Sequence, residues 1–234
     1  MKMAALMEDR STLVDKVCRK LAAVIRQEMT AGDLMLPPER DLAAQFGVSR
    51  PVVREATKRL ELQGLLEVRQ GVGTRVVDRL HAPLSGSISL LVDDARERLR
   101  QSLEVRLALE PQVASHAAER ATKAQRRRLQ AVHDRLASAS ELSAAIEADL
   151  EFHRALAEAA HNDIFALVLN SMADLGRASR QETISHAGVQ TACKHHAKIL
   201  AAVIKGDARA AETAMRQHIR AAIADLAAAT HRKR

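Results

Sequence analysis

Four side chains in the second half of this sequence have the types and spacing of a metal site. Asp149 and His153 are four residues apart within the series Leu142, Ile146, Asp149, His153, Leu156 and Ala160. Steps alternating between four and three keep that series on one face of a helix, so the carboxylate and the imidazole can reach one ion. A second series reads Ala192, His196, Ile199 and Val203, and a third reads Ala211, Met215, His218 and Ala222. Gly206 lies ten residues after His196 and twelve before His218. In an antiparallel hairpin each ring then stands roughly 15–18 Å from the turn, at the same height. One carboxylate and three imidazoles inside a helical bundle suit a divalent cation; the alternative is four separately hydrogen-bonded core residues. His195 and Cys193 adjoin His196 but project from other faces, toward solvent or behind the ligand ring.

The elements that must carry these residues are helical. Spans of about 93–120, 123–138, 141–161, 163–185, 189–205 and 207–230 follow from apolar periodicity. Thr122 with Gln125 forms a capping box, Pro111 can kink its helix, and Asn162-Asp163, Gly188 and Gly206-Asp207 mark breaks. Upstream, the stretch from Asp78 to Ser89 holds Pro83, Gly86 and several serines, which reads as a connector. The expected organisation is a first domain over 10–78, a linker over 79–92, an all-helical domain over 93–230 and a basic tail over 231–234. The first ten residues are expected to fray.

The N-terminal part has its own logic. Ser11 can cap a helix running to Ala31, ended by Gly32-Asp33. Leu36-Pro37-Pro38 forces an extended lead into a short helix over 39–46. Gly47 supplies a positive φ for a tight turn, Ser49 can cap the third helix, and Pro51 fits its first turn. Ala43 allows the two helices to touch, and Val53, Ala56 and Leu60 face inward. Arg50, Arg54 and Lys58 then line the outer face one turn apart, a cationic row that fits the major groove. Ser49 and the helix N-terminus can take a phosphate. Two short strands around Gln70–Gly73 make a hairpin.

Composition agrees with a DNA reader. Lys and Arg number 36 against 29 Asp and Glu, a net charge of +7, which favours an acidic partner. With three Phe and no Trp or Tyr, the chain lacks the stacking platforms that unpaired bases need, which leaves duplex DNA. No apolar run is long enough to span a membrane and no signal peptide is evident. Two cysteines are too few for a disulfide framework. A cytoplasmic protein is expected.

The segment LPPERDLAAQFGVSRPVVREATKRLELQGLLEVRQGVGTRVV resembles the winged helix of the GntR family of bacterial transcription regulators, over residues 10–78. The resemblance implies that Arg40, Arg50 and Arg54 contact double-stranded operator DNA, that the wing tip at Gln70 and Gly71 reaches the minor groove, and that a homodimer reads a palindromic operator. ADLEFH, HHAKIL and GDARAAETAMRQHI resemble the family's FCD-type, or FadR-type, ligand-binding domain. That likeness implies that Asp149, His153, His196 and His218 hold a metal, Zn²⁺ first, with Ni²⁺ and Mn²⁺ as alternatives, and that the domain senses a small carboxylate such as a sugar acid or hydroxy acid.

SLEVRLALEP looks like the first helix of that domain. Arg106 shares a stripe with Leu99, Leu103 and Val113, where a guanidinium could clamp an effector carboxylate or pair with Glu110 one turn on. Asn170 and Arg177 are further candidates for effector contacts. The fold class expected is mostly α: three helices and a β-hairpin wing, joined to a helical bundle. The function expected is a metabolite-responsive regulator, a repressor rather than an enzyme. The alternatives are a metal-dependent hydrolase or oxygenase, which would need a base or nucleophile beside an open coordination position, and a regulator that senses the metal itself.

Overall fold

The computed structural model describes residues 11–28, 34–69 and 71–231. Among these are eleven helices and one two-stranded sheet, and the chain divides into two compact units, up to Pro83 and from Leu84. The expected fraying of residues 1–10, the stop at Gly32-Asp33, the wing residue Gln70 and the tail beyond His231 lie outside the described residues.

The first unit contains α1 (Leu13–Glu28), α2 (Glu39–Phe46), α3 (Arg50–Leu62), β1 (Leu66–Arg69) and β2 (Gly73–Val76). Thr12, not Ser11, caps α1. Its hydroxyl accepts from the Asp15 amide at 3.1 Å while the Asp15 carboxylate accepts from the Thr12 amide at 2.8 Å, a reciprocal pair one residue later than expected. Gly47 takes φ 65° and ends α2. Ser49 stands at the N-cap position of α3 with extended backbone, but its side chain makes no capping bond. Val17, Leu21, Ile25, Leu42, Val53, Ala56, Leu60 and Leu66 form the core. β1 and β2 pair antiparallel from Leu66↔Val76 to Arg69↔Gly73. The extended Leu34–Leu36 stretch adds to β2, with Val76 N–H donating to Leu34 and Leu36 N–H donating to Thr74, both at 2.8 Å.

Gly64 closes this unit. At φ +79°, a Cβ there would sit 2.0 Å from the Arg79 carbonyl oxygen, whose own amide donates to Gly64 O at 2.8 Å. Gly64→Ala is therefore expected to destabilise the unit by at least about 1–3 kcal/mol from the backbone strain alone, read as a fall in the first unfolding transition of the full chain. An unchanged transition would mean that the 77–79 segment has no fixed seat.

Where a linker was expected, the chain forms a helix, α4 (Ala82–Leu91). Pro83, read as a breaker, stands in its first turn, where a missing amide proton costs nothing. The second unit continues with α5 (Ala95–Arg120), α6 (Lys123–Ala137), α7 (Leu142–Ala159), α8 (Asp163–Ser171), α9 (Ala173–Ala187), α10 (Val189–Lys205) and α11 (Ala208–His231). The capping box of Thr122 and Gln125 starts α6, and α5 runs without interruption through Pro111. The single helix expected over 163–185 is two, broken at Met172. At the break the Ser171 carbonyl accepts from the Ser85 hydroxyl of α4 at 2.6 Å, a contact from 86 residues upstream, and the Ser171 hydroxyl turns back to Val168 O at 2.6 Å. His231, counted in the tail, is the last residue of α11.

Phe152, Leu129, Leu156, Ile199, Val203, Met215 and Ile219 form the centre of this unit, with Ala114, Ala117, Ala155 and Ala159 where helices approach closely. Arg126 ties two helix ends together: its guanidinium donates to Ile204 O at 2.8 Å and to Ala118 O at 3.2 Å. Among the described residues no helix is long and apolar enough to cross a membrane.

Candidate functional site

The bundle brings Asp149 and His153 of α7, His196 of α10 and His218 of α11 together. One ligand atom from each lies within 4.8 Å of all the others, and all four residues are buried. His153 Nε2 is 3.2 Å from His218 Nε2 and 3.6 Å from Asp149 Oδ2. His196 Nε2 is 3.1 Å from Asp149 Oδ1. Neighbouring donors around a cation at about 2.0–2.2 Å stand about 3.0–3.5 Å apart, so these spacings fit one ion. A second observation points the same way. His196 is 0% exposed, and neither of its ring nitrogens has a hydrogen-bond partner of proper geometry. A buried polar atom left so is costly unless something else takes its lone pair.

The surroundings hold the donors in the state that metal binding needs. His153 Nδ1 lies 2.6 Å from Glu110 Oε2, an ion-pair contact without proper hydrogen-bond geometry, and Nε2 is turned to the cluster, so the carboxylate sits behind the ring as it does for many ligating imidazoles. Glu110 is itself paired with Arg106 Nε at 2.6 Å. Asp149 is paired with the buried Arg180. Burial pushes both carboxyls up, but Arg180 with His196 holds Asp149, and Arg106 with His153 holds Glu110, well below the usual carboxylate range. Burial pushes His153 down to about 4 against the pull of Glu110. His218 is lowered too, by burial and then by His196 and His153. Two anions result, with the imidazoles of His153 and His218 neutral. Phe152 backs the cluster, its ring stacked on His196 at 4.2 Å between centroids and 18° between planes.

A pH dependence follows for the metal-free protein. The folded value for His153, about 4, is below its unfolded value of about 6.5, so the unfolded chain takes up protons first. Stability present above pH ~6.5 is lost as the pH falls toward ~4. Chelator-treated protein is expected to show a falling unfolding midpoint across that window; a flat midpoint would mean that the ring is solvated.

Two clefts adjoin the cluster. One, of about 430 Å³, is lined by Asp149, His218, Thr183, His195 and Asp225; the other, of about 640 Å³, by Glu110, His153, Asn170 and Arg177; Arg106 and Arg180 line both. Of the expected effector residues, Arg106 is buried in its pair with Glu110, and Arg177 is exposed and bonded to Glu147 at 3.1 Å. Cys193 is buried beside Leu136, Ala145 and Ala148. His195 is half-buried, its ring centroid 5.7 Å from that of His218. Arg180 and the double role of Glu110 escaped the sequence reading. Gly176, Ser179, Arg180, Thr183 and Ile184 are the buried residues of α9, a three-four spacing that could have singled out Arg180 rather than Arg177.

In the first unit Arg40, Ser49, Arg50, Arg54 and Lys58 are all exposed. Arg54 is held by Glu39, with Nη2 at 2.9 Å from the carboxylate, and Arg40 by Asp41 at 3.0 Å. Gly71 is exposed at φ 77° in the turn between β1 and β2.

Comparison with known proteins covers both units. Residues 13–76 match the bacterial regulatory proteins of the gntR family, and residues 101–221 match the FCD domain. The chain is 35% identical to the HTH-type transcriptional regulator LutR of Bacillus subtilis, over 82% of this chain and 90% of that protein. It is 32% identical to a putative L-lactate dehydrogenase operon regulatory protein of Escherichia coli, over 88% and 83%. It is 31% identical to the transcriptional repressor NanR of Cronobacter sakazakii, over 96% and 89%. Among solved structures it is similar to Streptococcus agalactiae GntR, with a TM-score of 0.74 and 25% identity, covering 90% of this chain and 99% of that one. With a gntR-type helix-turn-helix before an FCD domain, the chain belongs to the GntR family of bacterial transcription regulators.

Proposed function

We propose that the chain is a repressor that acts as a homodimer on a two-fold operator and releases it when a small carboxylate, a hydroxy acid or sugar acid, binds beside a divalent cation held by Asp149, His153, His196 and His218. The observation that carries this reading is the buried convergence of those four donors in the FCD unit. The three-imidazole, one-carboxylate set suits Zn²⁺, Ni²⁺ or Mn²⁺. When bound, the cation supplies positive charge and open positions for an acid in a low-dielectric interior. The chain's own residues do the rest. Glu110 orients His153, Arg180 holds Asp149, and Arg106 and Arg180 present guanidinium groups to both clefts. The names of two relatives support the class of effector and the sign of control: one for a lactate dehydrogenase operon, the other as a repressor.

On the DNA side, Arg40, Ser49, Arg50, Arg54 and Lys58, with the wing at Gln70 and Gly71, contact the operator. One helix-turn-helix spans too few base pairs for useful specificity, which is the reason for two copies. A protein that reads chromosomal operators works in the cytoplasm. An effector changes operator affinity only by binding two conformations unequally.

The test is elemental analysis of protein purified without chelator, together with operator release titrated with hydroxy acids and sugar acids. His153→Ala and His218→Ala are expected to lose most of the metal and to shift release roughly tenfold or more to higher acid concentration, while DNA binding without acid is kept. A wild-type protein that carries no metal and still responds would make the four residues structural. Turnover of a bound acid would favour an enzyme, and release by metal alone a metal sensor.

A further inference from the structure

The smaller of the two clefts beside the metal cluster has unlike ends. Asp149, His218 and the guanidinium groups of Arg106 and Arg180 line one of them. Asp225 of α11 lines the same cleft, seven residues beyond His218. That is two turns, or about 10 Å along the helix at 1.5 Å per residue. On α9 the lining runs in step, from Arg180 through Thr183 to Ala187. The Asp225 carboxylate is half-buried, and burial pushes it up. Among the described residues no hydrogen bond or salt bridge engages it, and the only arginines or lysines that line the cleft are those of the cluster end. A partly desolvated acceptor left in this way favours a donor from a bound molecule. We propose that this cleft takes a hydroxylated monocarboxylic acid lengthwise, its carboxylate toward Arg106, Arg180 and the four metal donors and its hydroxyl end at Asp225, and that Asp225 excludes dicarboxylic acids. The inference rests on the reading above that an acid binds beside the cation.

The chemistry of the far end decides the class of acid. An ionised carboxylate accepts hydrogen bonds and donates none, so Asp225 can hold a hydroxyl but meets a second carboxylate as a like charge. Between the ends the walls are small or apolar, with Ile184, Ala187, Ala192 and Ala222. Thr183 and His195 are the polar groups on the way, placed for hydroxyls in the middle of a chain. Length matters as well. Lactate held by its carboxylate at the cluster ends well short of Asp225, whereas a six-carbon chain covers most of the run. The larger cleft is a poorer seat because its acids are taken. Glu110 pairs with Arg106 at 2.6 Å, Glu147 with Arg177 at 3.1 Å and Glu151 with Arg154 at 3.5 Å, which leaves a sugar hydroxyl no carboxylate of its own.

Calorimetric titration of the metal-loaded full chain with gluconate, glucarate and lactate, at one ionic strength, tests this. Gluconate and glucarate have the same length and differ only at the far carbon, a hydroxyl in one and a carboxylate in the other. Lactate is the probe too short to reach Asp225. The wild type is expected to bind gluconate roughly tenfold or more tightly than either of the others. Asp225→Asn keeps the shape of the side chain and removes its charge, so the preference for gluconate over glucarate should collapse toward one. Elemental analysis should find the metal content unmoved, since Asp225 is not among the four donors. Glucarate bound as tightly as gluconate by the wild type, or a preference that survives in Asp225→Asn, overturns the proposal and leaves the carboxylate reading standing as long as any acid binds. If none of the three binds the metal-loaded chain, the reading of an acid beside the cation fails and this proposal fails with it.

Discussion

Asp149→Ala is expected to destabilise the metal-free protein by about 3–5 kcal/mol. The reason is the partner left behind. Arg180 is buried, its remaining bond is to Gly176 O at 3.1 Å, and Arg106, also buried, lines the same two clefts. Without Asp149 the guanidinium stays in the interior next to the like charge of Arg106, and the nearby anion Glu110 is already paired with Arg106. Denaturant unfolding with chelator present measures this apart from any loss of metal. The double variant Asp149→Ala/Arg180→Met should recover much of the loss, because removing both members of a buried pair is far less harmful than removing one. A single-variant loss below about 1 kcal/mol, the value of a solvated surface pair, would mean that water reaches the cluster and that the low-dielectric argument for anion binding fails.

Loss of specific operator binding is the second large effect expected, in Arg50→Ala/Arg54→Ala. A good base contact discriminates by about 1–3 kcal/mol, so the pair should reduce specific affinity by roughly 2–6 kcal/mol if the two act independently. Both side chains are exposed on α3, opposite the buried Val53, Ala56 and Leu60. The unfolding midpoint should therefore stay within about 0.5 kcal/mol of wild type. Titration of specific and scrambled duplexes at one salt concentration separates base reading from general attraction. If the ratio of the two affinities is unchanged, α3 does not lie in the major groove.

Much of this was legible in the sequence because periodic burial writes itself into residue types. Gly47, Val53, Ala56 and Leu60 gave α2 and α3 their turn and inner face. The stripes through Asp149, His153, His196 and His218 placed those residues on inner faces, and Gly206 matched the heights of the last two. What was not legible depended on contacts distant in sequence. Met172 breaks a helix because the Ser85 hydroxyl, 86 residues upstream, bonds the Ser171 carbonyl. α4 forms where Pro83, Gly86 and serines suggested a loop, since a proline in a first turn starts a helix as readily as it ends one. Arg106 had two readings, and only packing brings Glu110 Oε1 to its Nε. Arg180 went unnoticed because α9 is too polar for its inner stripe to stand out, though it is the buried cation that faces Asp149.

The ties between Gly64 and Arg79 anchor the segment that leaves the first unit. Arg79 N–H bonds Gly64 O at 2.8 Å, and Val77 N–H bonds Leu65 O at 3.0 Å. Gly64 follows α3, the helix that carries Arg50 and Arg54, by two residues. Val77 and Arg79 are therefore bonded to the turn after α3 directly downstream of the wing hairpin, whose last paired residue is Val76. The segment leaving the unit is thus fastened next to the C-terminal end of α3, the helix whose other end presents Arg50.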